Sequence, residues 1–259
     1  MSADAAPDPP PIMTCPPIAG LTNLGNTCFA NTVLQCLFHT LPLSHYFLSK
    51  GYMRDANVKA SVLEDAKKLK QPPLIGTMCL PFLEEYHRVL FVLWSQRPET
   101  ITPRSLMVTG MRESIIRKRA SPGAPVFLMG KQHDMAEYLQ FFLDLVHETT
   151  GVPVEMHVHG EARSRRDQMM IDSYDHFRRH FAKEHSVIID LFAGQYYVQL
   201  QTCDNQMPQD HSESYDPFLM LTLALPAGVK ACTLYDCLSL MREPEIIDGW
   251  KGGRSDTPR

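Results

Sequence analysis

Between Thr27 and Thr40 the apolar positions Phe29, Val33, Cys36 and Leu37 recur at i, i+4, i+7 and i+8, the spacing of one helical face. Pro42 is expected to end that helix. Residues 55–70 and 82–94 read as two further helices, separated by the breaker Gln71-Pro72-Pro73. A short helical patch, Ser105 to Arg119, lies among Pro98, Pro103, Pro122, Gly123 and Pro125. The clearest helix is Gln132 to Glu148, where Met135, Tyr138, Leu139, Phe142, Leu143 and Val146 stand at relative positions 0, 3, 4, 7, 8 and 11. A stripe that wide has to pack on something apolar.

The pattern changes after Gly151-Val152-Pro153. A polar, Arg- and His-rich helical stretch over 161–185 leads into Val187 to Gln201, rich in β-branched and aromatic residues, so strands are expected to begin there. The apolar run 218–225 and a short helix at 233–241 follow, and the chain closes on a polar tail. At the other end, six of the first 17 residues are Pro, which removes backbone donors and fixes φ; residues 1–17 read as a disordered leader, with the folded part beginning near Ile18.

Composition narrows the class. The chain has 259 residues, 44% hydrophobic and 21% charged, which is globular, and its length suits one or two domains. With 25 Lys+Arg against 29 Asp+Glu the net charge is −4 and the pI about 6.2, which argues against a dedicated nucleic-acid binder. The run Arg117-Lys118-Arg119 reads as a solvated helix face. The longest aliphatic and aromatic run, Val89 to Trp94, falls far short of the roughly 18 residues that span a bilayer, so no membrane partner is expected. The N-terminus has neither the basic nor the apolar region of a secretory signal. Seven cysteines, an odd number, fit reduced thiols better than a disulfide framework. A cytoplasmic or nuclear location follows as the expectation.

The segment Gly20 to Asn31, GLTNLGNTCFAN, carries the most chemical information. Its glycines and asparagines make a tight turn, and Thr27 or Asn26 can cap the helix that follows. Cys28 then lies in the first helical turn, where unpaired N–H groups and the positive end of the helix dipole stabilise a thiolate. Asn23, five residues upstream, can present its amide to an oxyanion forming beside the sulfur. On spacing alone, a buried, inert cysteine in a glycine-rich turn is the favoured reading, because buried cysteines are common and inert.

GLTNLGNTCFANTVLQCL resembles the Cys box of the ubiquitin-specific proteases. The likeness continues in order: Phe127-x-x-Gly130-x-Gln132-x-Asp134-x-x-Glu137-Tyr138-Leu139 with Leu143-Asp144-x-x-His147-Glu148, then Ser186-Val187-Ile188-x-Asp190-Leu191-Phe192-x-Gly194-Gln195, then Ser212 to Leu223 with Asp216-Pro217-Phe218. The resemblance implies an α+β, papain-like ubiquitin-specific protease fold. A helical thumb (about 18–185) would carry Cys28, with β-rich fingers and an incomplete palm over about 186–250. It implies a cysteine-type deubiquitinase that hydrolyses the bond after the C-terminal glycine of ubiquitin, with ubiquitin and ubiquitinated proteins as partners. Cys28 would be the nucleophile and Asn23 the oxyanion donor. Gln132, Asp134 and Glu137 would face the extended, basic ubiquitin tail.

Two departures qualify the match. The family supplies its catalytic His from a box beyond the fingers, whereas all eleven His here lie at or before His211 and none has that context. An alternative reading is therefore a catalytically impaired, ubiquitin-binding pseudoenzyme or fragment. The family also often holds zinc with two Cys-x-x-Cys pairs. Here Cys203 has Gln206 where its partner would fall, and the sequence after Gly249 is WKGGRSDTPR. Cys232 and Cys237 read as core residues, and neither metal nor cofactor is expected.

Overall fold

A computed structural model describes residues 18–68, 79–96, 98–201 and 211–247. In chain order the elements are β1 (Gly20–Leu21), α1 (Cys28–Phe38), α2 (Leu41–Leu48), α3 (Gly51–Lys68), α4 (Leu80–Gln96), β2 (Thr100–Ile101), α5 (Arg104–Ala120), α6 (Met135–Thr150), α7 (Arg165–Phe181), α8 (Val187–Phe192), β3 (Gly194–Gln201), β4 (His211–Phe218) and α9 (Leu234–Met241). They divide into two compact units, residues 1–155 with 181–191 and residues 156–180 with 192–259.

In the first unit α6 is the central helix. Its apolar stripe packs against α1 and α3, while α4 packs on α2 and α5. Aromatic rings fill the middle: Tyr86 lies 5.0 Å from Phe38, 4.6 Å from Phe47 and 4.8 Å from Phe142 between ring centroids. All four of these side chains are fully buried, and such pairs add to the burial of apolar area that drives the helices together. β1 and β2 form a two-residue parallel pair, Gly20 opposite Thr100 and Leu21 opposite Ile101, that fixes the chain entering α1. The 181–191 segment returns to the end of α6: Val152 and His185 form a backbone bridge, and His147 Nδ1 meets Ser186 Oγ at 2.8 Å.

The second unit contains most of α7, the antiparallel β3–β4 hairpin in register from Gly194 opposite Phe218 to Gln201 opposite His211, and α9. Ser173 on α7 donates to Gln195 Oε1 at 2.6 Å, and the His176 and Tyr215 rings are 5.6 Å apart, so the helix packs on the hairpin.

Several expectations need correction. Pro42 does not end α1; it occupies the first turn of α2, where its fixed φ and missing N–H do no harm. On α1 the buried face is Ala30, Val33, Leu34, Leu37 and Phe38, with Cys36 exposed. The Gln132-to-Glu148 helix begins only at Met135, which is exposed. Val187–Phe192 is a helix, not a strand, so the hairpin begins at Gly194. Within the basic run only Lys118 and Arg119 face solvent fully; Arg117 turns inward to a bidentate pair with Glu148, at 3.0 and 2.5 Å. Among the described residues the run 218–225 forms no strand beyond Phe218. The breaker at 71–73 and the leader 1–17 lie outside the described residues. Among the described residues no helix is long and apolar enough to cross a membrane.

Candidate active site

The turn before α1 is organised by one side chain. Asn23 Oδ1 accepts from the backbone N–H of Gly25 at 3.0 Å, from that of Thr27 at 3.2 Å and from the Thr27 hydroxyl at 3.2 Å. The backbone partners are donors only, so the oxygen is fixed inside the turn and the Nδ2 group is the part of the amide that the turn does not use. Gly25 and Asn26 take the left-handed conformation, φ 95° and 53°, open to glycine and tolerated by asparagine.

Thr27 occupies the N-cap position of α1, yet its hydroxyl does not cap the helix. It is spent on the turn, accepting from Leu24 N–H at 3.0 Å. The first N–H groups of an α-helix have no intrahelical acceptor, and among the described residues no side chain supplies one. The positive end of α1 is therefore left open beside Cys28, the first residue of the helix, which is exposed.

A second loop, 104 residues away in sequence, is strapped to this turn. Asn26 Nδ2 donates to the Gly130 carbonyl at 2.9 Å, and Gly130 N–H donates to the Gly25 carbonyl at 3.2 Å. Gly130 is also left-handed, φ 73°. Phe29, the residue after the cysteine, packs its ring against Phe127, His133 and Tyr138 with centroids 6.0, 5.2 and 5.4 Å away. His133 Nε2 takes the Leu128 N–H at 2.9 Å, closing the loop.

This loop delivers the start of α6. Asp134 is its N-cap, with Oδ1 accepting the Glu137 N–H at 2.9 Å, and Glu137 stands in the first turn. Gln132, Asp134 and Glu137 are all exposed. The structure thus ties the Cys28 turn to the loop that carries Gln132 and leads into α6 with Asp134 and Glu137. It also corrects the expectation that both carboxylates lie along the helix: Asp134 precedes it. The Asn26–Gly130 strap and the place of His133 were missed in sequence; the signal that could have found the strap is the pair of left-handed candidates, Gly25-Asn26 and Gly130.

Cys79 is a contrasting thiol. It is buried, donates to Glu113 Oε2 at 3.3 Å, and is pushed up to about 12 by burial and then by the Glu113 charge and hydrogen bond. At pH 7 roughly one such thiol in 10⁵ is ionised. Cys28 is therefore expected to be alkylated by iodoacetamide well before Cys79 in the native chain. Peptide mapping over a time course checks this, and equal rates would contradict it.

No described histidine hydrogen-bonds Cys28. His87 Nδ1 faces the Phe47 carbonyl at 2.9 Å, His147 faces Ser186, and His185 Nε2 lies 3.1 Å from Asp190. Burial holds His87 and His147 below the usual histidine range. Among the described residues no group of three or more His, Cys, Asp or Glu could hold a metal ion. Cys203, Gln206 and the segment after Gly249 lie outside the described residues. Of the pair read as core, Cys237 is buried and Cys232 is exposed.

The ubiquitin carboxyl-terminal hydrolase family model matches residues 19–246. A putative ubiquitin carboxyl-terminal hydrolase 11 of Arabidopsis thaliana is 34% identical over 214 residues, covering 82% of this chain and 20% of its own length. Ubiquitin carboxyl-terminal hydrolase 2 of Homo sapiens is 30% identical over 236 residues, 90% of this chain and 34% of its own. The chain thus spans between a fifth and about a third of the length of these relatives. Among solved structures, a chain of the SAGA Ubp8/Sgf11/Sus1/Sgf73 DUB module bound to ubiquitin aldehyde superposes with a TM-score of 0.53 at 16% identity, over 90% of this chain and 40% of that one. Its likeness extends the papain-like, α+β ubiquitin-specific protease fold to this chain, and the extent of the family match shows that the chain belongs to the ubiquitin carboxyl-terminal hydrolase family.

Proposed function

We propose that Cys28 is the nucleophile of a cysteine deubiquitinase site that acts on the isopeptide or thioester bond after the C-terminal glycine of ubiquitin, with ubiquitin and ubiquitinated proteins as its partners. The observation that carries this reading is the exposed thiol at an uncapped helix N-terminus, strapped to the loop that leads to Gln132, Asp134 and Glu137. The sulfur attacks the carbonyl carbon, and the carbonyl oxygen becomes an oxyanion. Asn23 Nδ2, the half of the amide that the turn does not use, is the donor offered to it. The amine leaves with a proton, and water then hydrolyses the thioester. In this reading residues 18–185 act as the thumb and 186–250 as fingers and part of a palm. The five described cysteines outside any disulfide support a reducing setting, cytoplasmic or nuclear.

The test is covalent capture. Ubiquitin bearing a C-terminal electrophile is expected to form a one-to-one adduct at Cys28, located by peptide mapping, and Cys28→Ala is expected to form none. An adduct at another cysteine, or none from the folded chain, would overturn the assignment.

Asp134 and Glu137 are proposed to hold the cationic ubiquitin tail through charge-assisted hydrogen bonds. Converting them to Asn and Gln is expected to weaken ubiquitin binding to the Cys28→Ala chain by about 1.5 to 3 kcal/mol per charged hydrogen bond lost. Asparagine is itself a good N-cap, so α6 keeps its start and the charge alone is removed. Titration calorimetry measures the difference, and unchanged affinity in the double variant would take these residues out of the site.

A further inference from the structure

Cys232 and Cys237 flank the start of α9. Thr233 is the N-cap, so Cys232 stands just before the cap and Cys237 at the fourth helical position, the two places whose side chains meet when a capping box closes. The box is complete. Thr233 Oγ1 accepts the Asp236 N–H at 3.2 Å, and Asp236 Oδ2 accepts the Thr233 N–H at 2.7 Å. As a result the two sulfurs lie 3.9 Å apart, with Cys237 only 6% exposed and Cys232 at the surface. Any two apolar side chains would satisfy that contact, but two thiols held this close can also react with each other.

We propose that Cys232 and Cys237 form a reversible dithiol–disulfide site, oxidised by a small-molecule disulfide such as oxidised glutathione. The Cys232 thiolate attacks one sulfur of the oxidant, forms a mixed disulfide and releases one glutathione thiolate. The Cys237 thiolate then attacks Cys232 Sγ, the new bond joins the two protein sulfurs, and the second glutathione leaves. Two protein thiols are oxidised, one glutathione disulfide is reduced to two thiols, and the two protons end on the released glutathiones. Burial, followed by the hydrogen bond and charge of Cys232, raises the Cys237 thiol, so the exposed sulfur is the one that meets the oxidant. Closing to the S–S bond length of about 2.0 Å falls to rotation of the exposed Cys232 side chain.

Trypsin isolates the pair: cleavage after Lys230 and Arg242 gives a peptide of residues 231–242 that holds these two cysteines and no other. The full chain is equilibrated in buffers of reduced and oxidised glutathione, quenched in acid, alkylated and digested. The peptide is expected to pass from doubly alkylated to unalkylated with the loss of two hydrogens. The midpoint is expected at a ratio of squared reduced to oxidised glutathione at least tenfold higher than for the synthetic peptide 231–242, because the capping box holds the thiols together. In Cys237→Ser, residue 232 is expected to carry glutathione; in Cys232→Ser, residue 237 is expected to stay reduced. A native chain that carries glutathione on Cys232 while Cys237 remains alkylated throughout would overturn the proposal. So would a midpoint equal to that of the peptide.

Discussion

Replacing Lys59 with methionine is expected to destabilise the first unit by about 3 kcal/mol, the lower end of the range for breaking a buried ion pair from one side. The Lys59 side chain is 1% exposed, and its Nζ donates to the Glu148 carbonyl and to Glu184 Oε1, the latter at 2.6 Å. The Glu148 carbonyl belongs to the last turn of α6, where carbonyls lack intrahelical partners. One ammonium from α3 therefore completes the end of α6 and holds the returning 181–191 segment. Methionine fills much of the same volume but leaves a carbonyl and a carboxylate without their donor. Glu184 is 28% exposed, so water rescues part of the loss, which places the expectation at the low end. Glu184→Gln is expected to cost less, because its amide oxygen still accepts from Lys59. Urea unfolding of both variants and of the double variant checks this: a midpoint shift worth under about 1 kcal/mol for Lys59→Met would show that the pair contributes little.

Tyr138, Phe142, Leu143 and Val146 were legible as the inner face of α6 and are buried. Periodicity of that strength leaves a helix no other face to bury. Met135 belonged to the same stripe but opens the helix, where its side chain lies beyond the core. The run after Ser186 misled because β-branched composition outweighed local capping. Ser186 Oγ takes the Ile188 N–H at 3.2 Å and the Ser186 carbonyl takes those of Ile189 and Asp190, which starts a helical turn. Ile188 and Ile189 are both buried, which a strand with one covered face could not achieve.

The candidate site was half legible. Cys28 and Asn23 lie five residues apart, so turn chemistry and a helix start nominate them, while only the resemblance favours a reactive over an inert cysteine. Gln132, Asp134 and Glu137 came from resemblance, and what ties the loop leading to them to the cysteine turn is a pair of hydrogen bonds between residues 104 and 105 apart. Nothing in local spacing encodes a contact of that range. The same holds for Lys59 and Glu184, 125 residues apart, where burial of a lysine depends on a partner that only the tertiary fold delivers.

The polypeptide of these 259 residues is expected to be captured by electrophilic ubiquitin yet to hydrolyse ubiquitin conjugates very slowly. Capture needs a nucleophilic thiol and a bound tail, which Cys28 and the start of α6 are proposed to supply. Turnover also needs a proton for the leaving amine and activation of the water that cleaves the thioester. Among the described histidines, His39, His87, His147 and His185 face carbonyls, a hydroxyl or a carboxylate, His133 Nε2 accepts the Leu128 N–H, and none is paired with Cys28. Positioned acid–base groups contribute roughly 10² to 10⁴-fold to such steps, and catalytic units of this kind fail together when one member is missing. A fluorogenic ubiquitin amide in excess over the enzyme separates turnover from capture: one-to-one capture by the electrophile, with amide hydrolysis at least about 10²-fold slower than by a family member that carries its histidine, is the expected result. Sustained multiple turnover, abolished by Cys28→Ala, would instead show that one of the eleven histidines acts as the base. His133 would then be the first to replace, since its ring packs 5.2 Å from that of Phe29, the neighbour of Cys28. Loss of that turnover in His133→Ala, with capture retained, would identify it.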